Sequence, residues 1–254
     1  MSQEKYYSLS PQTYDDQFWW KKDDIEFWKF ILNKRQSKTL ELAAGTGRLA
    51  LPLIRENINY TGLEISKEYC AYANNQISTI CKKNKIIHGD MRSFNLNQTF
   101  DNIFIGFNSL LHLLKEKDLQ ATLGCIKKHM NKRSNLFIDV FVPHALFLSR
   151  NSKQEFKICE FFDSTYNTES TIYEVLNYDY KKEIMHVKWR YKNKKKSYNQ
   201  FMFKMKMYYP DTMNRILTDE GFKIKDLWGD YNKSKFNSES PLQIYRCVLD
   251  DKQS

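Results

Sequence analysis

The run Thr39-Leu40-Glu41-Leu42-Ala43-Ala44-Gly45-Thr46-Gly47-Arg48-Leu49-Ala50 constrains this chain more than any other stretch. A short apolar segment ends in two glycines one residue apart, and a helical pattern follows at once. That order specifies a buried strand, a tight turn and a helix whose N-terminus faces a ligand. Glycine is needed at the turn because a side chain would hold the backbone away from that ligand. The spacing Gly45-x-Gly47-x-x-Ala50 also satisfies the loose dinucleotide fingerprint, so the glycines alone leave the ligand open. Glu41 narrows the choice. A carboxylate near the end of the first strand is out of place beside a pyrophosphate. It suits a cationic ligand, or a hydrogen bond to the glycine loop itself.

The chain beyond this run alternates strand and helix. A helix is expected through about Asn57, then a strand over 58–64, a helix begun by Ser66, and a short strand over 85–90. A strand over 100–106 follows, then a helix marked by Leu119, Leu123, Ile126 and Met130, and a strand over 135–142. Residues 170–180, 183–191 and 198–209 are rich in Tyr, Val, Ile, Phe and Met and are split by polar turns, which specifies a small antiparallel sheet. Pro210 opens a last helix, Gly221 closes it, and strands over 222–228 and 242–249 end the chain. The expected fold is α/β: a Rossmann-like, doubly wound, mostly parallel sheet with the antiparallel sheet inserted before the last helix. The expected division is an N-terminal helical lid at 1–37, a ligand-binding core at 38–142, an inserted substrate or lid region at 143–209, and the end of the core sheet at 210–254. Trp19, Trp20 and Trp28 are expected to pack the N-terminal helix that starts near Asp23.

Composition removes several classes. The chain has 254 residues, enough for one large α/β domain, and no apolar run long enough to span a bilayer. Residues 1–10 are polar and lack an apolar signal core. Five scattered cysteines form neither a disulfide framework nor a zinc pattern, and the five histidines are equally dispersed. No metal site and a reduced, cytoplasmic protein are expected. Of the formal charge of +10, residues 181–206 carry an excess of +9, from ten Lys or Arg against one Glu. This basic hairpin is either a solvated face or a surface for RNA or another polyanion.

In an open α/β sheet the ligand lies beyond the carboxyl ends of the strands, where strand order reverses. Glu41, Glu64 and Asp90 all fall at or near such ends. Glu64 stands where an acid meets ribose hydroxyls in dinucleotide folds, and its two oxygens can accept from two adjacent hydroxyls. Asp90 can accept from an adenine amine, with Met91 against the ring.

The runs Glu41-Leu-Ala-Ala-Gly45-Thr-Gly47-Arg48, Gly62-Leu-Glu64-Ile65-Ser66, Gly89-Asp90-Met91-Arg92 and Phe100–Ser109 resemble the successive motifs of class I S-adenosylmethionine-dependent methyltransferases. The resemblance covers residues 38–142 and the terminal helix and strands. It implies S-adenosylmethionine as cofactor and S-adenosylhomocysteine as product. It places Gly45 and Gly47 at the methionine part, with Glu41, Ala43 and Arg48 of the same run. Glu64 then holds the ribose, with Ile65 beside it at the cofactor, Asp90 and Met91 hold the adenine, and Phe107 borders cofactor and substrate. Ala43 stands where many members carry glycine, so the loop is expected to be less open there. The layout is similar to small-molecule and aminosugar N-methyltransferases, which share a serine, apolar pair and histidine like Ser109-Leu110-Leu111-His112.

His112 is thus a candidate base or orienting residue for an amine or hydroxyl acceptor, or a helix-start histidine bonded to backbone. Asn108 and Tyr14 are further candidates for substrate contact, with Tyr6, Tyr7, Trp189, Arg190, Tyr209 and Tyr231 behind them. Two other functions stay open: a nicotinamide-dependent oxidoreductase on the same glycine pattern, and an RNA methyltransferase or RNA-binding protein using the basic hairpin.

Overall fold

A computed structural model describes residues 9–32, 37–193 and 197–250 of the chain. Tyr6, Tyr7 and Lys194–Lys196 lie outside the described residues. Ser10 caps helix α1 (Pro11–Gln17), its hydroxyl accepting from the Thr13 N–H at 3.1 Å, and Pro11 pre-sets the first turn. Helix α2 (Asp23–Leu32) begins with Asp23, Asp24 and Glu26, charges that suit its N-terminal dipole. Strand and helix then alternate through β1 (Lys38–Leu42), α3 (Ala50–Arg55), β2 (Asn59–Glu64), α4 (Lys67–Ser78), β3 (Lys85–His88), β4 (Phe100–Ile105), α5 (Glu116–Lys128) and β5 (Met130–Phe141). The short α6 (Ala145–Leu148) leads into β6 (Phe156–Asp163), β7 (Thr168–Asp179), β8 (Ile184–Asn193) and β9 (Ser197–Lys206). Helix α7 (Pro210–Asp219) and strands β10 (Phe222–Trp228) and β11 (Leu242–Leu249) complete the chain.

Two compact units result, residues 23–142 with 208–254, and residues 1–22 with 143–207. The first holds a seven-stranded sheet of order β10-β11-β5-β4-β1-β2-β3. β11 runs antiparallel to β5 and β10, and the other pairs are parallel. The chain winds outward from β1 through β2 to β3, then returns to lay β4 and β5 on the opposite side of β1. Strand order therefore reverses between β1 and β4, and their carboxyl ends open the crevice where such sheets bind ligands. Leu40, Ile103, Phe104, Ile105 and Val140 are wholly buried in this sheet. Trp28 is also wholly buried, its ring 4.6 Å from that of Phe104, as packing of α2 requires. Trp19 and Trp20 depart from the packing expected of them, at 59% and 51% exposed.

The second unit is a four-stranded antiparallel sheet, β6-β7-β8-β9, around Leu9, Phe161, Ile172, Tyr191 and Phe201. Its strands are half-buried: Met185, Val187 and Tyr191 of β8 face the core, while Lys188 between them is exposed. The alternate positions carry the basic side chains, with Arg190 paired to Glu155 and the Lys192 ammonium 4.4 Å over the Tyr173 ring. Much of the basic stretch is thus the outer register of a one-sided sheet.

Three expectations change. Met130 starts β5 rather than ending the preceding helix, because that helix stops at Lys128 and His129 closes it. Strand β6 was not expected, since a register shift between Lys157 and Cys159 breaks its alternation and only Phe161 and Asp163 are buried. Helix α1 is seven residues without apolar periodicity, and its only sequence signal is Ser10-Pro11.

Gly62 pairs with Glu41 across β1 and β2. A Cβ there would stand 2.8 Å from Ala44 Cβ and Ile86 Cγ1 and 2.9 Å from the Tyr60 hydroxyl. Ala44 has no rotamer with which to yield. Gly62→Ala is therefore expected to lower unfolding free energy by about 1–3 kcal/mol, seen as a lower denaturant midpoint at unchanged slope.

Candidate functional site

The loops at the carboxyl ends of β1, β2 and β4 bring together most of the residues singled out from sequence. Gly45 has φ +56°, and a Cβ there would meet nothing within 4 Å, so the backbone borders open space. Ala43 has φ +58°, a left-handed conformation that an alanine adopts only at a cost.

Glu64 holds this loop. Its Oε2 accepts from the Gly45 N–H at 2.9 Å and its Oε1 from the Ser66 N–H at 2.8 Å, so one carboxylate ties the glycine turn to the start of α4. Only 3% of the residue is exposed. Burial pushes its carboxyl above the ordinary range, opposed by those backbone N–H groups. Each oxygen keeps a lone pair beyond the bond it makes. Ile65 beside it is an exposed apolar side chain.

Glu41 accepts from the Tyr60 hydroxyl at 2.5 Å and is 5% exposed. Burial pushes its carboxyl up to about 8, against the opposing effects of the Tyr60 bond and the Arg48 charge. Of the two roles considered for Glu41, the bond to the Gly45 N–H belongs to Glu64 instead.

Asp90 follows β3. Its carboxylate is gripped by Arg92, with Nε 3.0 Å from both oxygens, Nη2 2.6 Å from Oδ2, and the Arg92 N–H 2.9 Å from Oδ1. This grip holds the Asp90 carboxyl below its usual range. Met91 between them is half-buried.

Arg48 donates to Asp24 of α2 through both terminal nitrogens, at 2.9 and 2.6 Å, and lies 4.9 Å over the Phe107 ring. Phe107 and Asn108 have φ +50° and +63°, two successive left-handed residues. Asp139, 1% exposed on β5, stabilises them. Its Oδ2 accepts from the Phe107 N–H at 3.2 Å and from the Tyr231 hydroxyl at 2.8 Å, and its carbonyl accepts from the Asn108 N–H at 3.1 Å. The Asn108 Oδ1 in turn accepts from the Phe141 N–H at 2.7 Å. His112 ends a 3-10 turn, Ser109–His112, anchored by the buried Leu110 and Leu111, and is half-buried; α5 begins four residues later. Tyr14 lies in the other unit on α1, with its ring 4.9 Å from Phe18, and Trp189 of that unit donates to the buried Glu174.

Asp24, Tyr60 and Asp139 were not singled out from sequence. Asp139 had a signal, a lone acid in the apolar run Phe137-Ile138-Asp139-Val140. Asp24 and Tyr60 had none, because their partners are distant in the chain.

Residues 39–133 match the family model of a methyltransferase domain. That stretch is similar to a methyltransferase domain. A Bacillus subtilis (strain 168) protein named a putative methyltransferase, YqeM, is 26% identical over 133 residues, 52% of this chain and 49% of that one. The chain spans about half to two thirds of the length of the curated relatives it matches. Among solved structures, the CcbJ methyltransferase of Streptomyces caelestis superposes with a TM-score of 0.77 at 15% identity, covering 95% of this chain and 100% of CcbJ. An S-adenosylmethionine-dependent methyltransferase of Clostridium acetobutylicum ATCC 824 gives 0.74 at 18% identity, over 93% and 96%. The sugar N-methyltransferase KedS8 of Streptoalloteichus gives 0.69 at 14% identity, over 90% and 87%. At these identities the likeness is one of fold.

The atoms at these strand ends fit a nucleoside with a cationic tail. Open space borders Gly45, Glu64 offers paired acceptors, Ile65 offers an apolar face, and Glu41 is an acid to which no ion pair is made among the described residues.

Two outcomes are expected. Ala43→Gly should raise stability by about 1 kcal/mol, measured by thermal melting, because left-handed strain is relieved beyond the added chain entropy. The pH dependence has a definite sign. Glu41 holds its proton more tightly folded than unfolded, so the stability it contributes is present below about 4.5 and is lost as pH rises towards about 8. Melting of Glu41→Gln across that range should therefore show a shallower decline than melting of the wild-type chain.

Proposed function

We propose that this chain transfers the methyl group of S-adenosylmethionine to an amine nitrogen, or a hydroxyl oxygen, of a small-molecule acceptor. The observation that carries this is Glu64, a buried carboxylate that locks the glycine turn beside the strand-order reversal and retains paired acceptors. In this reading Gly45, Gly47, Ala43, Glu41 and Arg48 line the methionine part, and Glu64 holds the ribose. Ile65 and Met91 flank the adenine. Asp90 meets the adenine amine by sharing its oxygens with Arg92. Phe107 borders cofactor and acceptor.

When bound, S-adenosylmethionine supplies a methyl group activated on a sulfonium. The chain's contribution is to align a lone pair in line with that methyl and to exclude water. Asn108 and His112 are assigned to the acceptor, with His112 taking a proton from the nucleophile or orienting it. The N-terminal segment and the inserted sheet are assigned to acceptor selection. An amine acceptor is favoured by the likeness to KedS8, a sugar N-methyltransferase. No helix among the described residues is long and apolar enough to cross a membrane, and all five cysteines are free. The proposal places the chain in the cytoplasm.

Calorimetry is expected to show S-adenosylhomocysteine binding, weakened by about 2–4 kcal/mol in Glu64→Ala through loss of a ribose hydrogen-bond pair. Tight NAD binding without a response to S-adenosylhomocysteine would overturn this choice of cofactor. Labelled methyl from S-adenosylmethionine, offered with cell extract, should enter a small product that resists ribonuclease. A ribonuclease-sensitive product would instead make RNA the acceptor. Once the acceptor is in hand, His112→Ala should reduce turnover with cofactor affinity near wild type. The loss should be on the order of 10²–10⁴-fold, recovering as pH rises, if His112 takes the proton.

A further inference from the structure

Tyr60 sits on β2 opposite Thr39, and Gly62 sits opposite Glu41. Side chains two residues apart on a strand share a face, so Tyr60, Thr39 and Glu41 lie on one side of the sheet. Gly62 leaves the lane between them empty. A Cβ there would come within 2.9 Å of the Tyr60 hydroxyl, which uses this lane to reach Glu41 at 2.5 Å. Tyr60 is wholly buried, and a ring of that size with its hydroxyl on a carboxyl fixes the carboxyl's position at the root of the glycine loop.

The charges facing Glu41 are Arg48 from the loop, Asp24 from α2 and Glu64 from the end of β2. Arg48 is forked onto Asp24, and Glu64 is held by two backbone N–H groups. Glu41 is left as a buried acid with a neutral donor and no cation bonded to it among the described residues.

We propose that Tyr60 is a positioning residue for the ammonium of the cofactor's methionine part, acting through Glu41. Its hydroxyl holds the Glu41 carboxyl ready, and that carboxyl gives up its proton when the cation binds. The inference rests on S-adenosylmethionine being the cofactor. The step balances simply: the Glu41 O–H bond breaks, the proton goes to bulk water, and the electron pair stays on the carboxylate facing the arriving ammonium. Burial pushes the Glu41 carboxyl up to about 8, so near neutral pH the acid is protonated before the ligand arrives. The Tyr60 bond favours the carboxylate and so eases the exchange.

The test is calorimetry of S-adenosylhomocysteine in buffers of different ionisation enthalpy between about pH 6 and 8.5. The expected result is release of about one proton per ligand near pH 7. Affinity should then rise about tenfold per pH unit up to a break near the Glu41 value. 5′-Methylthioadenosine, which keeps the nucleoside and thioether but lacks the ammonium, should bind without proton release. Glu41→Gln should abolish the linkage for S-adenosylhomocysteine. Tyr60→Phe should move the break to higher pH, whereas a merely structural Tyr60 would lower the melting temperature and leave the break in place. Binding of S-adenosylhomocysteine without proton release, or an unmoved break in Tyr60→Phe, overturns the proposal while leaving the cofactor reading intact. Failure of S-adenosylhomocysteine to bind overturns the cofactor reading and this inference with it. Should Tyr60→Phe fail to fold, the wild-type, Glu41→Gln and 5′-methylthioadenosine measurements still decide.

Discussion

The Glu64 carboxylate, shared between the Gly45 and Ser66 N–H groups, is the interaction on which the candidate site depends. A left-handed glycine turn has no intrinsic preference for one geometry, and a helix start leaves donors unsatisfied. One buried acid answers both, converting a pliable loop into a fixed frame. The desolvation of that acid is offset by two charge-assisted bonds and relieved further by any ligand that donates to its remaining lone pairs. A structural tie and a binding group are thus the same atoms.

Around that frame the larger unit buries further acids, each hydrogen-bonded to another part of the chain. Asp24 of α2 is wholly buried and forked by Arg48 from the glycine loop. Asp139 of β5 holds the strained Phe107-Asn108 turn and the Tyr231 hydroxyl. A buried pair of this kind contributes little over an apolar replacement, yet loss of one partner costs about 3–5 kcal/mol because a charge is left uncompensated. What such pairs supply is placement. They set where the β1 and β4 loops stand relative to α2 and β5, and strain at Phe107 and Asn108 persists only because Asp139 over-determines it.

The smaller unit follows different physics. It is an antiparallel sheet with one buried face, and its lysines and arginines occupy the outer register of β8 and β9. On the inner face Glu174 is buried against Arg150 and Trp189, and burial raises its carboxyl. Half of the ten basic residues read between 181 and 206 owe their placement to two-residue alternation along β8 and β9.

Strand–helix alternation, the glycine turn, the Ser66 cap and the Pro210 and Gly221 boundaries were legible in the sequence. Each is set by local chemistry: apolar period, conformational freedom, or a side chain bonding its own backbone. The positions of Glu41, Glu64 and Asp90 at strand ends were legible for the same reason. Strand β6 was hidden because its register shift erases alternation, and α1 because seven residues are too few to show a period. What each acid does was decided only in three dimensions. Tyr60 finds Glu41 across a parallel pair, Arg92 turns back onto Asp90, and Asp24 and Asp139 meet partners 24 and 92 residues away. Hydrogen-bond partners are chosen by proximity after folding, and a chain's local pattern carries the propensity to form elements but not the distances between them.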